Sequence, residues 1–362
     1  MLDMAQAPEA AESEFGEWPL KRLMTEVVGS GVKSAGDMSR EQATDAIRRI
    51  LAREPDQTTL GAFWLANRWK HNVAPELAAY ADVVAEDVTT AVPDADPVDC
   101  GANYDGKGDT AILGAAAGIV AAGAGTPVVV HSGDRVPTQK QDAYKHVLDE
   151  LGIQTEIEPT ESAAMVDETG FGFYYQPAFA PHINALNDRR DMMGVRTFFN
   201  TIETIMNPAE ADVHLGSFYH LAFAKKMVDT FKQMETQHPH RVVMFQGMEG
   251  YDDIRPGYTK VGEWTDGEFT DYEIETPEYG MDFEYEDLEV NPDNVAGDSA
   301  ELTREIISGD RTDYFVDAVT LNAAFRIYAR DDAETIESGL EMAHESIESG
   351  AAAAVLQDLQ AF

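Results

Sequence analysis

The sequence predicts an α/β protein: a small all-helical domain followed by a larger domain built on a mainly parallel sheet. Apolar residues recur at helical spacing from position 18 to about position 91, with no strand-like run among them. Beyond that point, short apolar strands alternate with helical stretches of about 10–15 residues, the pattern of strand–helix–strand crossovers. A Pro/Asp-rich stretch, Val92 to Val98, separates the two regimes as a hinge or linker.

Taken in order, residues 1–17 are acidic, lack the basic stretch of a secretory leader and are expected to form a disordered tail. Leu20, Leu23, Met24, Val27 and Val28 lie on one helical stripe that Gly29-Ser30-Gly31 ends. Ser39-Arg40-Glu41-Gln42 reads as a capping box opening a second helix through Ala43, Ile47, Ile50 and Leu51. Further helices are expected from Leu60 to Trp69 and from Pro75 to Ala91. The helical domain is thus placed at 18–92, joined by a returning helical segment at 183–206.

The α/β domain is assigned to 93–182 and 207–362. Strands are expected at Val98–Gly101, Thr126–His131, Val213–Gly216, Val242–Gly247 and Glu268–Ile274. Helices are expected at Ala111–Gly123, Lys140–Leu151, Ala300–Ile307, Phe315–Tyr328 and Asp332–Leu359. Residues 262–299, rich in acids and aromatics, are expected to be extended or irregular.

The charge excludes several function classes. There are 66 acidic residues against 26 basic ones, a net charge of −40, spread along the whole length. Such self-repulsion destabilises a compact chain at low salt and is screened at molar salt, where the Debye length falls to roughly 3 Å. This fits an intracellular protein of a salt-accumulating organism, the alternative being an ordinary acidic protein. Nucleic-acid binding, which requires clustered lysine and arginine, is not expected. The longest apolar run, Ala111 to Val130, is broken by glycines and Pro127, so no membrane span is expected. Cys100 is the only cysteine, which rules out an intrachain disulfide and a cysteine zinc site and fits a reduced cytoplasm.

Four segments can carry chemistry. Gly101-Ala102-Asn103-Tyr104-Asp105-Gly106-Lys107-Gly108 lies between a strand and a helix. There glycines permit close backbone approach, and Lys107 would add a point charge for a phosphate; a tight structural turn is the alternative. His131-Ser132-Gly133-Asp134-Arg135 follows a buried strand, where ligands of parallel sheets sit. His131 and Arg135 could hold a phosphate or carboxylate, or belong to a solvated loop. Arg189 and Arg190 offer planar forks suited to a carboxylate, or else pair with neighbouring aspartates. Asp252 and Asp253, after the apolar strand ending near Gly247, suit Mg²⁺, although adjacent acids also arise by chance in a chain this acidic.

In this order and spacing the segments resemble the anthranilate phosphoribosyltransferases, of the glycosyltransferase family 3 group that also holds the pyrimidine nucleoside phosphorylases. The most specific block is Gly194-Val195-Arg196-Thr197-Phe198-Phe199-Asn200 continuing to Asn207-Pro208-Ala209, with Leu60-Gly61-Ala62-Phe63 and Lys70 matching the helical domain. The resemblance covers roughly residues 18–330. It implies a cleft between the two domains, a homodimer formed through the helical domain, and Mg²⁺-dependent transfer of ribose 5-phosphate. The donor would be phosphoribosyl pyrophosphate and the acceptor an aromatic amino acid-like amine, anthranilate, in tryptophan biosynthesis. By position it puts Gly101, Asp105 and Gly106 in the pyrophosphate loop and His131 beside the acceptor path. Arg190 would receive the acceptor carboxylate, and Asp252 and Asp253 would hold the metal.

Several motifs depart from the family pattern. Gly-Ala-Asn-Tyr-Asp-Gly stands for Gly-Thr-Gly-Gly-Asp-Gly, Ala111-Ile112-Leu113-Gly114 for Asn-x-Ser-Thr, and Glu203-Thr204 for Gly-Pro near the acceptor. The alternative is therefore a divergent branch, acting on another acceptor or binding a ligand or nucleic acid without catalysis.

Overall fold

The computed structural model describes residues 15–29, 31–101, 105–248 and 253–362. The chain opens with α1 (Leu20–Leu23), which runs into a π-helical turn, Met24–Val28. Next come α2 (Arg40–Leu51), α3 (Gln57–Lys70) and α4 (Ala74–Ala85). The capping box is formed: the Ser39 hydroxyl accepts from the Gln42 amide and the Gln42 side chain accepts from the Ser39 amide, a motif contributing about 1 kcal/mol. Asp56 caps α3 in the same manner, accepting from the amides of Thr58 and Thr59. Lys70, at the end of α3, is fixed by a 2.6 Å ion pair to the fully buried Glu76 of α4.

The α/β part follows as β1 (Val98–Gly101), α5 (Gly114–Gly123), β2 (Val128–Ser132), α6 (Tyr144–Leu151), α7 (Pro159–Thr169) and β3 (Phe171–Tyr175). Four short helices come next: α8 (Gln176–Phe179), α9 (Pro181–Asn184), α10 (Asn187–Met193) and α11 (Phe199–Ile205). Then come β4 (Val213–Phe218), α12 (Leu221–Phe231), β5 (Arg241–Gln246), β6 (Tyr258–Thr265) and β7 (Glu268–Glu275). The chain closes with α13 (Val295–Ile307), α14 (Tyr314–Ala329), α15 (Ile336–Glu348) and α16 (Ala351–Ala361). No helix among the described residues is long and apolar enough to cross a membrane.

The seven strands form one sheet in the order β3-β2-β1-β4-β5-β6-β7. β1 to β5 are parallel, and β6 and β7 add an antiparallel hairpin at one edge. From β1 the chain steps outward to β2 and β3, then returns to the opposite side of β1 with β4. The direction of winding reverses between β1 and β4, and such switch points leave a crevice at the carboxyl ends of the strands.

Side-chain alternation assigns the two faces. Val98, Cys100, Val128, Val130, Val213 and Leu215 point into the core made with α5, α6 and α13–α16. Val129, Tyr174, Phe218, Val242 and Met244 point into the second core, shared with the N-terminal helices and with Ile183, Leu186, Phe198, Phe199 and Ile202 of the returning segment. α5 lies close on the sheet because Gly118 faces Phe171, whose ring would sit 2.6 Å from an added Cβ.

Some expectations require correction. The segment 262–299, expected to be extended or irregular, is extended where β6 and β7 pair along eight residues each, but it turns helical from Val295, where α13 begins. β3 and β6 were not anticipated. The helical stretch 183–205 is broken into three pieces, with Gly194 in the left-handed region at φ +66°. The expected helix Asp332–Leu359 divides at Gly350, φ +79°, into α15 and α16.

Candidate active site

The crevice between β1 and β4 holds a cavity of about 310 Å³. Its floor is Gly101 at the end of β1 and Ser217–Phe218 at the end of β4. Its walls are Tyr219 and His220, the segment Arg196 to Thr204, and Arg68 reaching across from α3. Gly101 has to be glycine: a Cβ there would lie 2.1 Å from the Thr204 carbonyl oxygen and 2.4 Å from Cε1 of His214.

Asp105 lines the same cavity and is 1% exposed. Arg196 holds its Oδ2 at 2.8 Å, and the Asn200 amide donates to its Oδ1 at 3.0 Å. Burial pushes the Asp105 carboxyl above the ordinary range, helped by the charge of Glu203 and opposed by Arg196, Arg190 and the Asn200 bond. Gly106, at φ +71°, turns the loop where a Cβ would lie 2.1 Å from the Asp142 carbonyl oxygen. Ala102, Asn103 and Tyr104, between these positions, fall outside the described residues.

The other sequence candidates do not face this cavity. His131 is completely buried, its Nε2 3.2 Å from Asp99 Oδ1 and its ring edge-on to Phe179. Lys107 is 3% exposed, donates to the Ala111 carbonyl at 2.8 Å and pairs with Asp253 at 2.6 Å. It ties the loop after β1 to the loop after β5, and in that position it offers no free charge to a phosphate. Arg135 is largely exposed and pairs with Asp142 at 2.5 Å. Arg190 is 1% exposed and bound bidentately by Glu203 at 2.5 and 2.8 Å, with Asn187 at 3.3 Å.

Asp252 lies outside the described residues. Asp253 is 2% exposed and has one carboxylate oxygen taken by Lys107. Among the described residues no three His, Cys, Asp or Glu side chains gather as a metal cage.

One cluster was missed from sequence. Asp99, fully buried in β1, lies between His131 of β2 and His214 of β4, with His214 Nδ1 at 2.8 Å. Burial pushes the Asp99 carboxyl up, but the charges and hydrogen bonds of the two imidazoles outweigh it and hold the group below the ordinary range. Three residues from adjacent strands on one face give no local sequence signal.

The pattern described as "Glycosyl transferase family, a/b domain" matches residues 100–353. Anthranilate phosphoribosyltransferase of Methanocorpusculum labreanum is 33% identical over 91% of this chain and 95% of its own length. That of Haloarcula marismortui is 31% identical over 91% and 97%. The chain belongs to the anthranilate phosphoribosyltransferase family. Members of this family are pentosyltransferases.

The fold agrees with solved structures of anthranilate phosphoribosyltransferases. The Thermus thermophilus protein superposes with a TM-score of 0.75 at 24% identity, covering 90% of this chain and 95% of that one. The Saccharomyces cerevisiae protein, in complex with PRPP and Mg, gives 0.72 at 19% identity, covering 89% and 92%.

Proposed function

We propose that this chain transfers ribose 5-phosphate from phosphoribosyl pyrophosphate to the amine of anthranilate, the step that commits anthranilate to tryptophan synthesis. The observation that carries this reading is the cavity at the β1/β4 switch point, floored by Gly101 and edged by Asp105, in a chain of this family. The ribose C1–O bond breaks as pyrophosphate leaves, a C1–N bond forms, and the amine loses a proton. Backbone at Gly101 lets the donor approach closely, and the Thr201 hydroxyl and the Asn200 amide offer neutral hydrogen bonds to it. Asp105 and His220 are the lining groups able to take the amine proton. When bound with the donor, Mg²⁺ would neutralise charge on the leaving pyrophosphate.

The working medium is the cytoplasm, at high salt, where a net charge of −40 is screened. The assembly is a homodimer through the helical segment. The support is an apolar groove lined by Met24, Val28, Leu65 and Trp69, beside which Val32 is 72% exposed and Trp69 61% exposed.

The purified protein, incubated in molar potassium chloride with the donor, Mg²⁺ and anthranilate, should release pyrophosphate and consume anthranilate in equal amounts. A folded protein that releases none under these conditions removes the assignment.

A further inference from the structure

We propose that the guanidinium of Arg326, on α14, is an internal receptor for one small monovalent anion, chloride or another halide. Arg326 does not line the cleft cavity, and the site stands apart from the transferase reading.

Buried cations in this chain come with carboxylates. Six lysine and arginine side chains are buried among the described residues: Arg49, Lys107, Lys145, Arg190, Arg241 and Arg326. The first five each have an acid at 3.2 Å or less, respectively Asp45, Asp253, Asp149, Glu203 and Glu263. Arg326 is the exception. It is 1% exposed, and no carboxylate of the described residues pairs with it. Its Nη1 donates to the Asn322 carbonyl at 2.7 Å, and its Nε is buried with no acceptor among the described residues. The buried carboxylates of the described residues are all engaged elsewhere, by arginine, lysine or histidine.

The setting makes that charge expensive. α14 packs against α5, α15 and the strands β4 and β5, and Ala323, Phe325 and Ile327 around Arg326 are fully buried. An arginine cannot escape by losing its proton, so the interior holds a full positive charge, and an uncompensated buried ion is far costlier than a paired one. Arg326 stands in the last turn of α14, where the carbonyl dipoles give partial relief. A water molecule would satisfy Nε but leave the charge; an anion answers both. A single monatomic ion suits these surroundings. The oxygens of a phosphate or carboxylate would need further donors, which apolar neighbours do not offer. One helical turn away, the Asn322 side chain accepts from the Ile254 amide at 3.2 Å, and Ile254 follows the Asp253 that pairs with Lys107. The anion would thus brace the helix that anchors the loop after β5.

Bromide is the probe. Crystals of the full chain soaked in potassium bromide should show an anomalous peak within hydrogen-bonding reach of Arg326 Nε, and crystals of Arg326→Met should show none there. Methionine keeps a long, flexible side chain without the charge. Thermal melting is then followed at constant potassium, with chloride replacing the bulkier glutamate from about 10 mM to about 1 M. As the site fills, the wild type should gain about 2 °C for each tenfold step beyond any change in Arg326→Met. No bromide at Arg326 in the wild type, bromide that persists in the variant, or the same chloride response in both proteins would each overturn the proposal. Should the variant fail to fold, the wild-type soak alone decides it.

Discussion

Arg190 and Glu203 meet in a two-bonded ion pair of which neither partner is more than 1% exposed. The pair links α10 to α11, and the Phe199 ring lies 5.7 Å from the guanidinium carbon. A guanidinium that sequence alone offered to a substrate is therefore a structural tie between two helices of the cleft wall.

Removing one partner should be costly. Glu203→Ala leaves Arg190 charged and unpaired, and about 3 kcal/mol of stability should be lost. The paired change Arg190→Met with Glu203→Leu should cost far less, because the interior then holds no charge at that point. Urea titration of the single and double variants checks this. Equal losses in both would show that packing rather than charge holds the two helices.

Gly101→Ala should damage the cleft from its floor. The new methyl group meets the Thr204 carbonyl and the His214 ring at distances no Cβ tolerates, so β1, α11 or the imidazole must move. A destabilisation of about 1–3 kcal/mol is expected, with most of the activity lost in the protein that remains folded. Thermal melting and pyrophosphate release, measured side by side, separate the two effects.

Asp99 makes acid stability predictable in sign. Its carboxyl is held below the ordinary range in the folded chain, so its contribution is present above the unfolded value, about pH 4, and disappears as pH falls through the lower folded value. Asp99→Asn should therefore be less stable than wild type at neutral pH, and the gap should narrow on acidification below about pH 4. A gap that widens in acid would contradict the pairing with His131 and His214.

Salt should act on the whole molecule. Between about 0.1 M and about 1 M potassium chloride the screening length shrinks from roughly 10 to 3 Å, and repulsion among 66 acidic side chains fades. The melting temperature should climb steadily across that range. A flat profile would mean that local ion pairs such as Arg48–Glu86 already balance the charge.

The sequence reading succeeded where signals are local. Ser39 and Gln42 announce α2, Val128 to Val130 announce a buried strand, and the switch from helical to alternating patterning locates the start of the sheet. β6 escaped because it is half-buried, with Thr259 and Val261 inward and charged or polar residues between them, a thin pattern in a segment dense with acids. At the site, residue types were legible but their partners were not. Lys107, His131 and Arg190 are each held by an acid 146, 32 and 13 positions away, Asp253, Asp99 and Glu203, and only the fold brings those pairs together. Arg68 gave no signal at all, since its meaning comes from facing a cavity built by the other part of the chain.

The hairpin β6–β7 closes one margin of the sheet with Glu268, Asp271, Glu273 and Glu275 distributed along the outermost strand. An unpaired strand margin is a template on which another molecule can stack. Here any copy of the same chain would bring an identical row of carboxylates against it, and the like charges would keep the two margins apart. In brine, where long-range repulsion is damped, water bound tightly to those carboxylates still has to be stripped before two backbones can meet. The acidic hairpin thereby disfavours pairing at a margin that the parallel strands alone would have left bare.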